Sequence, residues 1–114
     1  MEDERFARES RLRSRRDFQR VYREGRSFED RCFRVVYRRA GGPPRLGLVA
    51  ARRLGGAVER NRAKRVIREA FRTNKGLFAG LELIVHLRPA AMALSKGELR
   101  EEFLKVGARL ARLD

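Results

Sequence analysis

Gly55-Gly56-Ala57-Val58-Glu59-Arg60-Asn61-Arg62-Ala63-Lys64-Arg65-Val66-Ile67-Arg68-Glu69-Ala70-Phe71-Arg72 is the stretch on which the reading of this chain turns. The two glycines interrupt what precedes them, and no breaker follows before Lys75-Gly76, so a helix is predicted over about 57–74. At about 100° per residue, Ala63, Val66, Ile67, Ala70 and Phe71 gather on one side. Asn61, Arg65, Arg68 and Arg72 fall on the other, with Arg62 and Lys64 flanking. The apolar side requires a packed neighbour. The polar side is almost purely cationic, whereas a solvated helix face ordinarily mixes signs into i,i+4 pairs.

Working outward, Leu81, Leu83, Val85 and Leu87 alternate along a strand that Pro89 closes. Ser95 and Glu98 form a capping-box pattern, opening a last helix with Leu99, Phe103, Val106 and Leu110 on one face. Upstream, residues 32–39 place Phe33, Val35 and Tyr37 on one face of a strand. The turn Ala40-Gly41-Gly42-Pro43-Pro44 follows, and residues 45–51 read as the antiparallel partner. A brief strand is expected at 26–28. Ser14 and Asp17 open a first helix that runs to about Glu24 and ends at Gly25. The order is helix, strands, helix, strand, helix: an α/β (α+β sandwich) fold with a sheet of about four strands and three helices against it.

The 114 residues suit a single domain with a core of its own, needing neither disulfides nor a structural metal. No repeat, low-complexity tract or linker divides residues 1–114, although the order of residues 1–10, before the first helix, is left open. Lys plus Arg number 29 against 15 Asp plus Glu, a net charge of +14. Such an excess repels itself unless a polyanion neutralises it, so nucleic acid is the expected partner. A hydrophobic content of 42% sets the chain apart from a disordered basic tail. The single Cys32 excludes a disulfide framework and a Cys-cluster zinc site. No apolar run approaches a membrane span, and residues 1–16 lack a secretory signal, so a cytoplasmic location is expected.

The run from Gly55 to Arg72 resembles the RNR signature of the bacterial ribonuclease P protein component. Further blocks stand in that family's order: Arg11-Leu12, Asp17-Phe18-Gln19-Arg20-Val21-Tyr22, Gly25-Arg26-Ser27, Leu46-Gly47-Leu48-Val49 and Arg52-Arg53. The resemblance implies the small subunit of an RNA-based enzyme that removes the 5′ leader from precursor tRNA. Its catalytic groups, and the Mg²⁺ it requires, belong mainly to the RNA, so no catalytic or metal-binding residue is expected in the protein. It implies that Arg60, Asn61, Arg62, Lys64, Arg65 and Arg68, with Arg52 and Arg53, face the RNA subunit. Arg72, on the same stripe, extends that set. The leader would lie in a cleft between the first helix and the sheet, against Phe18 and Tyr22, which share one helix face. The family commonly adds an aromatic from the second strand. Here Val36 occupies that position and Tyr37 faces the other way, so either Val36 lines the cleft or a bulge brings Tyr37 into it. The family's fold is that of a domain of ribosomal protein S5, with a left-handed strand-helix-strand crossover.

Three other readings compete. A self-sufficient nuclease needs a histidine or paired carboxylates at the scissile phosphate, or carboxylates gripping a metal. His86 is the only histidine and has no identifiable carboxylate partner; Asp17 and Asp30 are isolated, and Glu101-Glu102 lie on the last helix. A structural RNA-binding protein, such as a ribosomal one of similar fold, accounts for the charge but not for the aromatic pair together with the complete RNR run. A membrane-surface role fits poorly, because the basic helix carries few large anchoring residues. Self-association of the free protein is left open.

Overall fold

In the computed structural model, residues 10–113 are described; the order of residues 1–9 lies outside them. Ser10, the last residue of the expected N-terminal segment, is buried. The elements are α1 (Arg15–Glu24), β1 (Arg26–Glu29), β2 (Phe33–Arg39), β3 (Arg45–Val49), α2 (Ala57–Arg72), β4 (Leu81–Leu87), the single turn α3 (Pro89–Met92) and α4 (Lys96–Arg112). Short 3₁₀ turns occupy Arg52–Leu54 and Lys75–Phe78. The three long helices and the four strands stand where expected. The α3 turn is an addition to the expected elements, favoured by proline at its first position.

Local hydrogen bonding explains the helix ends. The Ser14 hydroxyl accepts from the Asp17 N–H at 3.0 Å, while the Asp17 carboxylate reaches across to Arg45 at 2.7 Å. At α4 the box is complete: Ser95 Oγ accepts from the Glu98 N–H and Glu98 Oε1 from the Ser95 N–H. Helix α2 ends at Arg72, two residues early, where Thr73 Oγ1 and Asn74 Nδ2 donate to the carbonyls of Glu69 and Ala70.

The sheet order is β1-β2-β4-β3, with β3 parallel to β4 and the other neighbours antiparallel. The expected β2–β3 hairpin therefore does not form. Strand β4 is buried on both faces at every residue except His86, so it gains most as a central strand flanked on both edges. The turn after β2 makes room for it: the N–H groups of Ala40 and Gly41 both donate to the Gly80 carbonyl at the entry to β4. The chain then crosses β4 and runs up its far side.

One face of the sheet carries the main core. Phe33, Val35, Tyr37, Leu46, Leu83 and Val85 pack there against Ala63, Ile67, Ala70 and Phe71 of α2 and Leu99, Phe103, Val106 and Leu110 of α4. Phe71, Phe78, Phe103 and Phe33 run through it as a chain of rings with centroids 5.1, 5.2 and 6.2 Å apart. The other face is thinly covered. There Leu12, Val21, Val36 and Ile84 form a small second cluster, with Phe18 and Val49 against it. Val21 is the one fully covered residue of α1.

Candidate nucleic-acid interface

Strand alternation writes three rows of residues across the α1 side of the sheet, and each meets a different part of α1. The first row is Arg38, Glu82 and Arg45. Buried Glu82 accepts from both arginines, at 3.0 and 3.3 Å. Arg38 also reaches Glu24 at 2.8 Å and Arg45 reaches Asp17 at 2.7 Å, so both ends of α1 are tied to one carboxylate of β4. Burial works to raise the Asp17 pKa, but Arg45 and nearby backbone N–H groups outweigh it and hold the carboxyl below its ordinary value.

The middle row is Ser27, Val36, Ile84 and Gly47. Val21 sits over it, and the Phe18 ring rests on Gly47, where a Cβ would come within 2.6 Å of the ring. Half-buried Phe18 and more exposed Tyr22 stand 6.4 Å apart between centroids, sharing one face of α1 as the i,i+4 spacing requires. Strand β2 pairs residue for residue with β4 from Phe33 to Arg39, without a bulge. Tyr37 is thus corrected out of the cleft: the unbroken alternation turns it into the main core, 8% exposed and against Phe28. Val36 lies on the cleft side, but at 3% exposure it is packing beneath α1, not open lining.

The third row is Glu29, Arg34, His86 and Val49, which α1 does not reach across. Tyr22 closes its near end: the hydroxyl is 2.8 Å from His86 Nε2, with ring centroids 5.9 Å apart. Burial, helped by the charge of Arg34, pushes the His86 pKa down, so the imidazole is neutral at pH 7. Burial likewise pushes the Tyr22 hydroxyl up, keeping it protonated. Beyond this pair an open groove of about 330 Å³ is lined by Val49, Ala51, Arg53, His86, Arg88 and Pro89, with Arg34 and Glu29 on its rim. Arg34, Arg88 and Glu29 are functional candidates that the sequence pattern does not single out. The parity that puts His86 opposite the leucines also places Arg34 and Arg88 there, but only once β2 and β4 are known neighbours.

The second surface is α2. Asn61, Arg62 and Arg65 are exposed, as are Arg52 and Arg53 in the turn before it; Lys64 and Arg68 are half-buried. Among the described residues, none of these six cations has a carboxylate within ion-pair distance. Burial lowers the pKa of Arg68, and the charge of Arg11 adds to this. Two of the expected residues are engaged within the protein. Arg60 donates to the Gly55 carbonyl at 3.0 Å, and Arg72 is paired with Glu69 one turn away.

Two further carboxylates of the nuclease alternative, Asp30 and Glu102, have other employment. Asp30 accepts from the N–H groups of Cys32 and Phe33, and Glu102 pairs with Lys105. Cys32 is buried, and burial raises its pKa, so it stays a thiol. Among the described residues no group of three or more His, Cys, Asp or Glu could hold a metal ion, and no helix is long and apolar enough to cross a membrane.

Comparison with known proteins bears on the family and the fold. A family model described as Ribonuclease P matches residues 6–111. The chain is 40% identical over 105 residues to the ribonuclease P protein component of Thermotoga maritima, covering 90% of this chain and 83% of that one. It is 44% identical over 95 residues to that of Symbiobacterium thermophilum, covering 81% and 83%. Its fold is similar to a solved structure of the Staphylococcus aureus RNase P protein, with a TM-score of 0.80 and 31% identity, covering 90% and 95%.

Proposed function

The chain belongs to the ribonuclease P protein family, and on that premise we propose that it grips two RNAs at once and leaves hydrolysis to one of them. Its α2 face and the Arg52–Arg53 turn bind the catalytic RNA subunit. The cleft under α1 holds the 5′ leader of precursor tRNA. Mg²⁺ is held mainly by the RNA, and the protein alone is inactive. It works in the cytoplasm, with the rest of the tRNA-processing machinery.

One observation carries this reading: the unpaired cations of α2 and the aromatic cleft are separate surfaces on different sides of one sheet. On α2, phosphates replace condensed counterions without any need for base recognition. In the cleft, the exposed Tyr22 ring offers a stacking platform at about 1–3 kcal/mol per base, tolerant of sequence. A structural RNA-binding protein of similar fold would account for the basic helix but not for the aromatic pair of the cleft.

The test is reconstitution with the RNA subunit, measuring affinity for precursor tRNA as the 5′ leader is shortened. The protein should tighten binding of leader-bearing substrate and leave mature tRNA almost unaffected. Equal gains for both would refute the cleft assignment, and cleavage by the protein without RNA would refute the division of labour.

A further inference from the structure

Glu82 stands in the middle of the sheet between two arginines, in register with Arg38 of β2 on one side and Arg45 of β3 on the other. Among the described residues no other charged residue is buried. Each arginine gives its Nη1 to Glu82, at 3.0 and 3.3 Å, and its remaining nitrogens to α1 or the chain leading into it. Arg38 Nε donates to Glu24, the last residue of the helix. Arg45 donates to Asp17 in the first turn and, at 3.1 and 3.3 Å, to the carbonyl of Arg11 ahead of it. Asp17 and Glu24 are two turns apart, so they share one face of α1 and lie about 10.5 Å apart along its axis.

We propose that Glu82 is a positioning residue for substrate binding: it touches no RNA, but through Arg38 and Arg45 it fixes the orientation of α1 over the sheet, and with it the places of Phe18 and Tyr22. This role rests on the leader reading above and adds to it a residue that lies outside the contact surface. Apolar packing cannot supply the same control. Helix α1 has one fully covered side chain, Val21, and apolar contact has no preferred direction, so a helix resting on that point alone can turn about it. Attachments at both ends of one face remove the turn, and both depend on Glu82. Without its charge the two guanidiniums face each other across β4, repel, and lose the acceptor that holds each Nη1. A buried carboxylate between arginines is no better for stability than a well-packed apolar residue. What it adds is the fixed direction of charge-assisted hydrogen bonds.

The experiment uses the full chain reconstituted with the RNA subunit and two variants. Glu82→Gln keeps the shape but turns an amide N–H toward one of the arginines. The second variant replaces the whole row with apolar side chains, Arg38→Met, Glu82→Leu and Arg45→Met together, and should melt close to the parent protein because no buried charge is left unpaired. Leader-bearing precursor tRNA should bind both variants about 5- to 10-fold more weakly, the lower end of what one stacked base contributes. Affinity for mature tRNA and for the RNA subunit should be unchanged. A merely structural role gives the opposite for the triple variant, stability and leader affinity restored together. The single histidine supplies a readout that needs no leader. The Tyr22 hydroxyl lies 2.8 Å from His86 Nε2, so a displaced α1 uncovers the imidazole, which should then titrate nearer its ordinary value. Full leader affinity in the triple variant, an equal loss of RNA-subunit affinity, or an unchanged His86 titration would each overturn the positioning role. If the parent protein prefers leader-bearing substrate and the variants keep that preference, only the role of Glu82 falls. If the parent shows no preference while the His86 titration shifts, the cleft reading falls and takes the substrate role with it.

Discussion

Val21→Ala tests whether α1 is held to the sheet as weakly as its packing implies. Val21 is fully buried and centres the small cluster with Leu12, Val36 and Ile84. Removing two methyl groups forfeits about 1.6 kcal/mol of transfer free energy. A residual void of about 40 Å³ adds about 1 kcal/mol, and the better helix propensity of alanine returns about 0.5 kcal/mol. The net loss is about 2 kcal/mol, which for a domain of this size lowers Tm by about 8 °C if α1 unfolds only with the whole. The loss should not be wholly global, however. Helix α1 has one fully covered side chain, whereas α2 and α4 have four and five buried residues in the main core. Native-state hydrogen exchange should therefore show α1 amides losing protection by more than those of α2 and α4, and calorimetry a Tm drop smaller than about 8 °C. Equal loss of protection in all three helices would show that α1 is integral to the main core, and the cleft would not be an independently adjustable unit.

Other outcomes follow from the same geometry. The single histidine can be titrated by NMR without ambiguity: His86 should protonate below 6.5, since its buried site favours the neutral ring. Protons then bind the unfolded chain more readily, so stability falls as pH drops below about 6.5 and levels off beneath the folded-state pKa; His86→Gln should lose that component, and an imidazole titrating at or above 6.5 would contradict the assignment. Gly47→Ala drives a Cβ to within 2.6 Å of the Phe18 ring and should cost about 1–3 kcal/mol in chemical denaturation while weakening leader binding. Gly42→Ala, with no atom near the new Cβ, is the control and should stay within about 0.5 kcal/mol. Replacing Arg65 and Arg68 together with Ala should weaken RNA-subunit binding and reduce its log–log salt slope by about 1 for each phosphate no longer neutralised; an unchanged slope would remove both from that interface.

What the sequence alone determined is local. The faces of α2 and α4, the Ser14 and Ser95 caps and the i,i+4 pairing of Phe18 with Tyr22 depend on residues within a few positions of one another, where helical period and hydrogen-bond reach leave one answer. The RNR run and its flanking blocks named the family for the same reason, being contiguous. Tertiary structure decided what depends on neighbours far apart in the chain. The order β1-β2-β4-β3 placed β4 where a hairpin was expected, because a strand apolar on both faces is most stable in the centre. That order, with an unbroken register, sent Tyr37 to the core and left Val36 under α1. It also brought Glu29 of β1, Arg34 of β2 and Arg88 just past β4 to one groove, and Glu24, Arg38, Glu82, Arg45 and Asp17 into one ion-pair chain. Alternation assigns each strand residue to one of two faces; only pairing between strands says which face is which and who stands beside whom.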